Sequence, residues 1–248
     1  MKITRLYRYP VKGLSAEPLP TVHLETASPL AGDRRYALTT KKDLESPLSW
    51  HPKQTFLTLK QHEKLAVLET RFDDKTETLT ILMMGKEVAR GCLAQMDDRV
   101  RLETFISSFM VPTVTDRVSI VKTADDIALT DTEEPFVSLV NLASVRDLER
   151  ASGVAIDPLR FRANIYFDCD APWCELDWVD HPIAIGITRL NVMEPTGRCA
   201  ATNVNPETGL RDHNVVKMLQ DGFSHADMGI YATVSGSGDI AVGDSIIF

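Results

Sequence analysis

The segment HPIAIGITRLNVM, residues 181–193, constrains the fold more than any other stretch. Ile183, Ile185 and Ile187 alternate, with Leu190 and Val192 further on, a period that suits a half-buried strand rather than a helix. The same texture recurs elsewhere. LAVLETRF and ETLTILM flank DDKT, a hairpin signal, and GIYATV and DIAVGDSIIF are separated by SGSG, which reads as a second hairpin. Two helices interrupt the pattern. In RVRLETFISSFMVP, Leu102, Phe105, Ile106 and Phe109 share one face and Pro112 stops the run. In NLASVRDLERASG, Ser144 with Asp147 reads as a capping box and Gly153 as the C-terminal cap. LKQHEK and residues 123–135 read as polar connectors. Short strands at regular spacing favour barrels over a parallel sheet. The expected fold is mainly β with a few helices (α+β), in two β-barrel-like parts meeting near residues 112–125, so that 1–115 and 116–248 are the predicted domains. Neither G-x-G-x-x-G nor G-x4-G-K-[ST] occurs, which leaves Rossmann and P-loop readings without support.

Charge narrows the function classes. A net charge of -8 over 248 residues argues against a nucleic-acid or anionic-membrane partner, because phosphate backbones need a dense basic face. The start, MKITRLYRYPVKG, has no apolar core of a signal peptide, and no stretch approaches a membrane span. A cytoplasmic protein is expected, with Cys92, Cys169, Cys174 and Cys199 as thiols. Cys169 and Cys174 have the C-x4-C spacing of an iron–sulfur start but lack its C-x2-C continuation, so neither a cluster nor a zinc site is expected.

Cys199 stands in EPTGRCAATNVNPETGLRD, after Arg198 and upstream of Arg211 and a Pro/Gly turn. A cysteine at a strand end can be a small core hydrophobe. Flanking cations and a rim position point instead to a thiolate, which can act as nucleophile, persulfide carrier or soft-metal ligand. A nucleophile needs a base, and no histidine spacing supplies one; His213 is the nearest in sequence. Cations also stand at loop exits in three other segments: Lys12 in YPVKG, Arg34 and Arg35 after a Gly-Asp turn, and Arg160 and Arg162 in LRFRANI with Asn164 beyond. Singly these are solvated charges. Together they could form an anion pocket, each hydrogen bond to a charged group contributing about 1.5–3 kcal/mol.

YPVKG, GDRRYAL, RFRANI and EPTGRCAATNVNPETG resemble, in that order, proteins with a molybdenum cofactor sulfurase C-terminal (MOSC) domain preceded by an N-terminal β-barrel partner. The resemblance spans essentially the whole chain, to the closing VGDSIIF. In layout it is similar to the mitochondrial amidoxime reducing component and its bacterial counterparts, which reduce N-hydroxylated compounds at a molybdenum held by a pterin dithiolene. The resemblance implies an N-terminal MOSC β-barrel plus a C-terminal MOSC barrel, a molybdenum-molybdopterin (Mo-MPT) cofactor, and Cys199 as metal ligand and catalytic residue. It implies Lys12 and Arg34 at the pterin phosphate, Arg162 and Asn164 as an R-x-N touching the cofactor, and Arg198 among the cofactor-binding residues. Thr130 and Asp131 match an Asp-x-x-Pro segment beside the metal with one residue extra, and Asp131 is the implied proton donor. Gly13 and Asn205 depart from the family pattern, and the expected absence of a ferredoxin-like tail implies a separate electron donor such as a ferredoxin or flavoprotein reductase. The implied substrate is a small molecule. The alternatives keep the fold: a sulfur carrier holding a Cys199 persulfide downstream of a pyridoxal-phosphate cysteine desulfurase, or a module for cofactor storage and delivery.

Overall fold

The computed structural model describes residues 1–44, 47–124 and 127–248. Strands β1 (Lys2–Arg8), β2 (Glu17–Leu19), β3 (Thr21–Leu24) and β4 (Tyr36–Thr39) come first. Two 3-10 turns, Lys53–Thr55 and Glu63–Val67, lead to the meander β5 (Glu69–Asp73), β6 (Thr78–Met83) and β7 (Lys86–Cys92). Helix α1 (Met96–Met110) is followed by β8 (Ser119–Lys122), β9 (Val137–Asn141), α2 (Leu142–Ser152) and β10 (Ile165–Asp168). The chain continues through β11 (Pro182–Ile185), β12 (Thr188–Gly197), α3 (Val215–Phe223), β13 (Asp227–Gly236), β14 (Gly238–Ala241) and β15 (Ile246–Ile247). Mostly β with three helices, the architecture matches the fold class expected from the strand texture.

An eight-stranded sheet of order β15-β11-β12-β13-β9-β10-β1-β2 organises the molecule, parallel only between β9 and β10. Alternation along its central strands divides two cores. Val137, Leu139, Ile165, Phe167, Ile230 and Ala232 point into one, while Val140, Tyr166 and Met228 point to the other, under α2 and α3. Gly229 lets β13 lie on β9. At φ +80, a Cβ there would stand 2.1 Å from the Leu139 carbonyl oxygen. A third core forms between α1, the meander and the first loops, with Leu102, Ile106 and Met110 buried from the helix. Phe105 and Phe109 pack against the same core, and the helix stops before Pro112, as the periodicity predicts.

DDKT does join an antiparallel pair, β5 with β6. Three other expectations change. HPIAIGITRLNVM is no single strand: it turns at Gly186–Ile187 into the β11–β12 hairpin, leaving Ile187 77% exposed at the tip. SGSG bends the chain without closing a hairpin, because β14 pairs with β3 rather than β13. The α2 cap is Asn141, whose side chain accepts from Ala143 N–H, while Ser144 lies inside the helix and donates to Glu175 at 2.7 Å. Gly153 closes that helix at φ +73, as expected.

The two halves interlock. β1 and β2 complete the large sheet from the N-terminal side, and β8 pairs with β4. A strand beyond residue 115 thus pairs with one from the N-terminal segment. In the expected 123–135 connector, Asp125 and Asp126 lie outside the described residues. Among the described residues, no helix is long and apolar enough to cross a membrane.

Candidate functional site

A cleft of about 130 Å³ opens where the two halves meet. All the residues to which the family resemblance gives a role line it: Lys12, Arg34, Thr130, Asp131, Arg162, Asn164, Arg198 and Cys199. They arrive from five separate segments of the chain. Lys12 follows β1, its path set by Gly13 at φ +86, where a Cβ would press on Leu57 O at 3.2 Å. Arg34 and Arg162 both hold left-handed backbone, at φ +46 and +50, an uncommon conformation for arginine that aims each guanidinium over the Tyr9 ring. Their centres stand 4.4 and 4.2 Å from the ring centroid, within cation–π range. Cys199 leaves the end of β12 at the start of a 3-10 turn, Ala200–Asn203, its carbonyl accepting from Thr202 N–H and Oγ1–H.

The electrostatics are one-sided. Among the described residues, seven lysines and arginines line the cleft against a single carboxylate, Asp131. Lys12 Nζ donates to Asp131 at 3.0 Å and to Leu129 O at 2.7 Å, and Lys53 Nζ donates to the other Asp131 oxygen at 3.0 Å. Burial alone would raise the Asp131 carboxyl, but the two ammonium groups outweigh it and hold it well below the ordinary range. Asp131 is therefore a carboxylate with no proton to give, and the proton-donor role does not fit it. Burial lowers Lys12, and Asp131 only partly offsets that. For Lys53 burial is more than offset, by Asp131 first and then by the Cys199 sulfur.

Arg34 is compensated by Asp33, which it contacts directly, and Arg160 by Asp212, at 2.7 and 2.8 Å. Two arginines have no such partner. Arg162 donates to Leu14 O at 2.7 Å, Arg198 to Met228 O and Phe161 O, and neither pairs with a carboxylate among the described residues. The buried Nη2 of Arg162 has no hydrogen-bond partner among the described residues. Burial, then repulsion from Arg34, lowers Arg162 to about 10, and burial also lowers Arg198. A positive cluster without counter-ions is costly to bury. An anion in the cleft offsets that cost.

Asn164 is fixed from every side. Its Oδ1 accepts from Ser138 N–H at 3.1 Å and from Ser138 Oγ–H at 2.9 Å, and its Nδ2 donates to Tyr7 O at 3.3 Å. It positions the wall between β9 and β10. Thr130 closes its own turn onto Thr132 O. Lys53, Lys60 and Tyr231 also line the cleft, though nothing in their local sequence marks them. Tyr231 stacks on Phe136 at 5.3 Å, and burial raises its phenol, which stays protonated near neutral pH. Two flanking arginines fall elsewhere. Arg35 turns toward Glu77, and Arg211 ties Ala200 O to Leu59 O and Lys60 O across the seam. Among the described residues no histidine lines the cleft, and no group of three or more His, Cys, Asp or Glu could hold a metal ion.

Comparison with known proteins bears on the same two halves. Residues 1–128 match the MOSC N-terminal beta barrel domain and residues 126–247 the MOSC domain. A molybdenum cofactor sulfurase of Drosophila willistoni is 36% identical over 98 residues, which is 38% of this chain and 12% of that protein. The chain thus spans about an eighth of that relative, which matches at 12% of its length. Among solved structures, the YuaD protein from Bacillus subtilis aligns over 99% of this chain and 93% of its own, at 11% identity and TM-score 0.45. YiiM from Geobacillus stearothermophilus aligns over 45% and 52%, at 18% identity and TM-score 0.34.

Proposed function

The chain belongs to the MOSC family, a MOSC N-terminal beta barrel domain preceding its MOSC domain, and from that membership and the cleft we propose that it binds the molybdenum cofactor through Cys199 and reduces N-hydroxylated compounds. One observation carries the reading: among the described residues a lone thiol stands among seven cations, and two of the arginines, Arg162 and Arg198, have no carboxylate partner. The residues fit the group in both its parts. A pterin phosphate would accept from Arg162 Nη2, which has no acceptor among the described residues, and from the side of Arg34 and Lys12. A metal that arrives with dithiolene sulfurs needs few protein ligands, and Cys199 is the soft donor available.

When bound, the cofactor would supply the two-electron redox chemistry. The chain's own residues do the rest. Arg34 and Arg162, locked over Tyr9, hold the anionic end. Asp131 accepts from Lys12 and Lys53, one on each oxygen, and so fixes both ammonium groups at the cleft wall. Reduction of N–OH to N–H releases water and consumes protons. With Asp131 ionised, the protonated groups facing the cleft are Tyr231, Lys12 and Lys53. Electrons would come from a separate donor protein.

A second reading has its own support, because the curated relative is a molybdenum cofactor sulfurase. There Cys199 would carry a persulfide supplied by a pyridoxal-phosphate enzyme. Turnover and cyanolysis separate the two. Protein from a host with an intact pterin pathway, reduced by a chemical donor, should convert amidoximes or hydroxylamines, and Cys199→Ala should abolish this. Cyanide-released sulfur at one equivalent, with no turnover, would establish the carrier instead.

A further inference from the structure

Away from the cleft, a second pair of groups is arranged for chemistry. Cys169 ends β10 and Cys174 opens the 3-10 turn Cys174–Trp178, and their sulfurs stand 3.2 Å apart. The intervening residues are tied to the first turns of α2. Asn141 Nδ2 donates to Ala171 O at 3.1 Å, Trp173 N–H donates to Ser144 Oγ at 2.8 Å, and the Trp173 indole donates to Asp147 at 2.8 Å. Trp173 takes left-handed backbone at φ +65, which turns the chain back so that Cys174 faces Cys169. The two thiols are thus apposed by a fixed loop, not by chance contact. A disulfide needs sulfurs at about 2.05 Å, a further approach of only about 1.2 Å.

We propose that Cys169 and Cys174 are a redox-active dithiol, a modification site distinct from the cleft, whose reaction partner is a small disulfide such as glutathione disulfide. Cys169 lies five residues beyond Asn164 along β10, so the site is roughly 15 Å from that residue of the cleft. Burial, and then the Cys169 sulfur, pushes the Cys174 thiol up to about 12, so Cys174 keeps its proton while Cys169 attacks. The Cys169 thiolate, to which Asn141 Nδ2 donates at 3.2 Å, displaces one glutathione thiolate and forms a mixed disulfide. Once Cys169 is neutral, Cys174 loses its proton to solvent and attacks the Cys169 sulfur, releasing the second glutathione. Two protein thiols and one disulfide become one protein disulfide and two thiols, so electrons and protons balance.

The surroundings accept both states. Around Asn141 Nδ2 lie four acceptors, Glu175 Oε2, Ala171 O and the two sulfurs, for two hydrogens. Oxidation removes the two S–H donors and leaves the two amide hydrogens to Glu175 and Ala171. The fully buried Glu175 keeps both partners, Asn141 and Ser144 at 2.9 and 2.7 Å, so closure strands no buried polar atom.

The full chain, equilibrated with mixtures of reduced and oxidised glutathione, acid-quenched, alkylated and mass-mapped, tests this. A reversible species about 2 Da lighter is expected, with residues 169 and 174 protected together and Cys92 still alkylated. Cys199→Ala should give the same result, and Cys169→Ser should give none of the lighter species. Separate glutathione adducts at Cys169 and Cys174 in the wild type would overturn the proposal. So would two free thiols at the most oxidising ratio, or a bridge that includes Cys92 or Cys199.

Discussion

Replacing Asp131 by Asn removes the one carboxylate that lines the cleft among the described residues while keeping its shape, and the consequence follows from the geometry. Asp131 accepts from two ammonium groups at 3.0 Å. A charge-assisted hydrogen bond contributes about 1.5–3 kcal/mol when well enclosed and at most about 1 kcal/mol at the surface. Asp131 is 42% and Lys53 34% exposed at the side chain, so their contact counts near the surface value. Lys12, at 8%, counts for more. The asparagine oxygen still accepts from one lysine, which leaves a net loss of about 1–2 kcal/mol. For a chain of this size that is a fall in Tm of about 2–8 °C. Adding phosphate or pyrophosphate should reverse the order of effects. With Asp131 gone the cleft is one charge more positive, so the anion binds more tightly and stabilises the variant more than the wild type. Thermal unfolding followed by circular dichroism, with and without pyrophosphate, reads both. Acid adds a third signature. The Asp131 carboxyl is held below its unfolded value, so its contribution is full above about pH 4 and is lost as pH falls toward the folded value. The gap between wild type and variant should therefore shrink below about pH 4. An unchanged Tm at pH 7, or equal stabilisation of both proteins by pyrophosphate, would refute the counter-ion role.

Gly229→Ala should fail to fold or lose more than about 3 kcal/mol, measured by denaturant titration, because its Cβ would meet backbone at 2.1 Å from left-handed φ. Arg160→Ala removes the fork that holds Asp212 and donates to Asn203 O at 3.2 Å. A loss of about 2–3 kcal/mol is expected, with faster alkylation of Cys199 as its turn loosens; an unchanged alkylation rate would count against that coupling. Asn164→Ala leaves Ser138 N–H and Oγ–H without their side-chain acceptor and should cost about 2–4 kcal/mol by the same titration.

What the sequence disclosed depended on range. β5 and β6 flank a turn and pair with each other, so alternation plus DDKT sufficed. β14 pairs with β3 from the far end of the chain, and no local pattern announces such a partner. Ile187 matched the alternation yet sits at a turn, because a period of two is equally consistent with a hairpin bent at glycine. Asn141 outcompeted Ser144 as helix cap because Glu175, distant in sequence, engages the serine. In the cleft, Cys199 and the arginines were legible as residue types at turns, and family motifs supplied their order. Lys53 was not, since only folding brings it to Asp131 and into the cleft that Cys199 lines. The ionised state of Asp131 was equally hidden: it depends on two lysines from separate segments.

The cofactor claim rests on a sulfur in a cationic cleft, and metal content tests it most directly. Molybdenum and pterin should be quantified per chain in protein purified from cells that make the cofactor, for the wild type, Cys199→Ala and Arg162→Ala. About one molybdenum and one pterin per wild-type chain is expected, with the metal lost from Cys199→Ala and the pterin weakened in Arg162→Ala. Wild-type protein free of both, or Cys199→Ala retaining its full metal, would contradict the assignment.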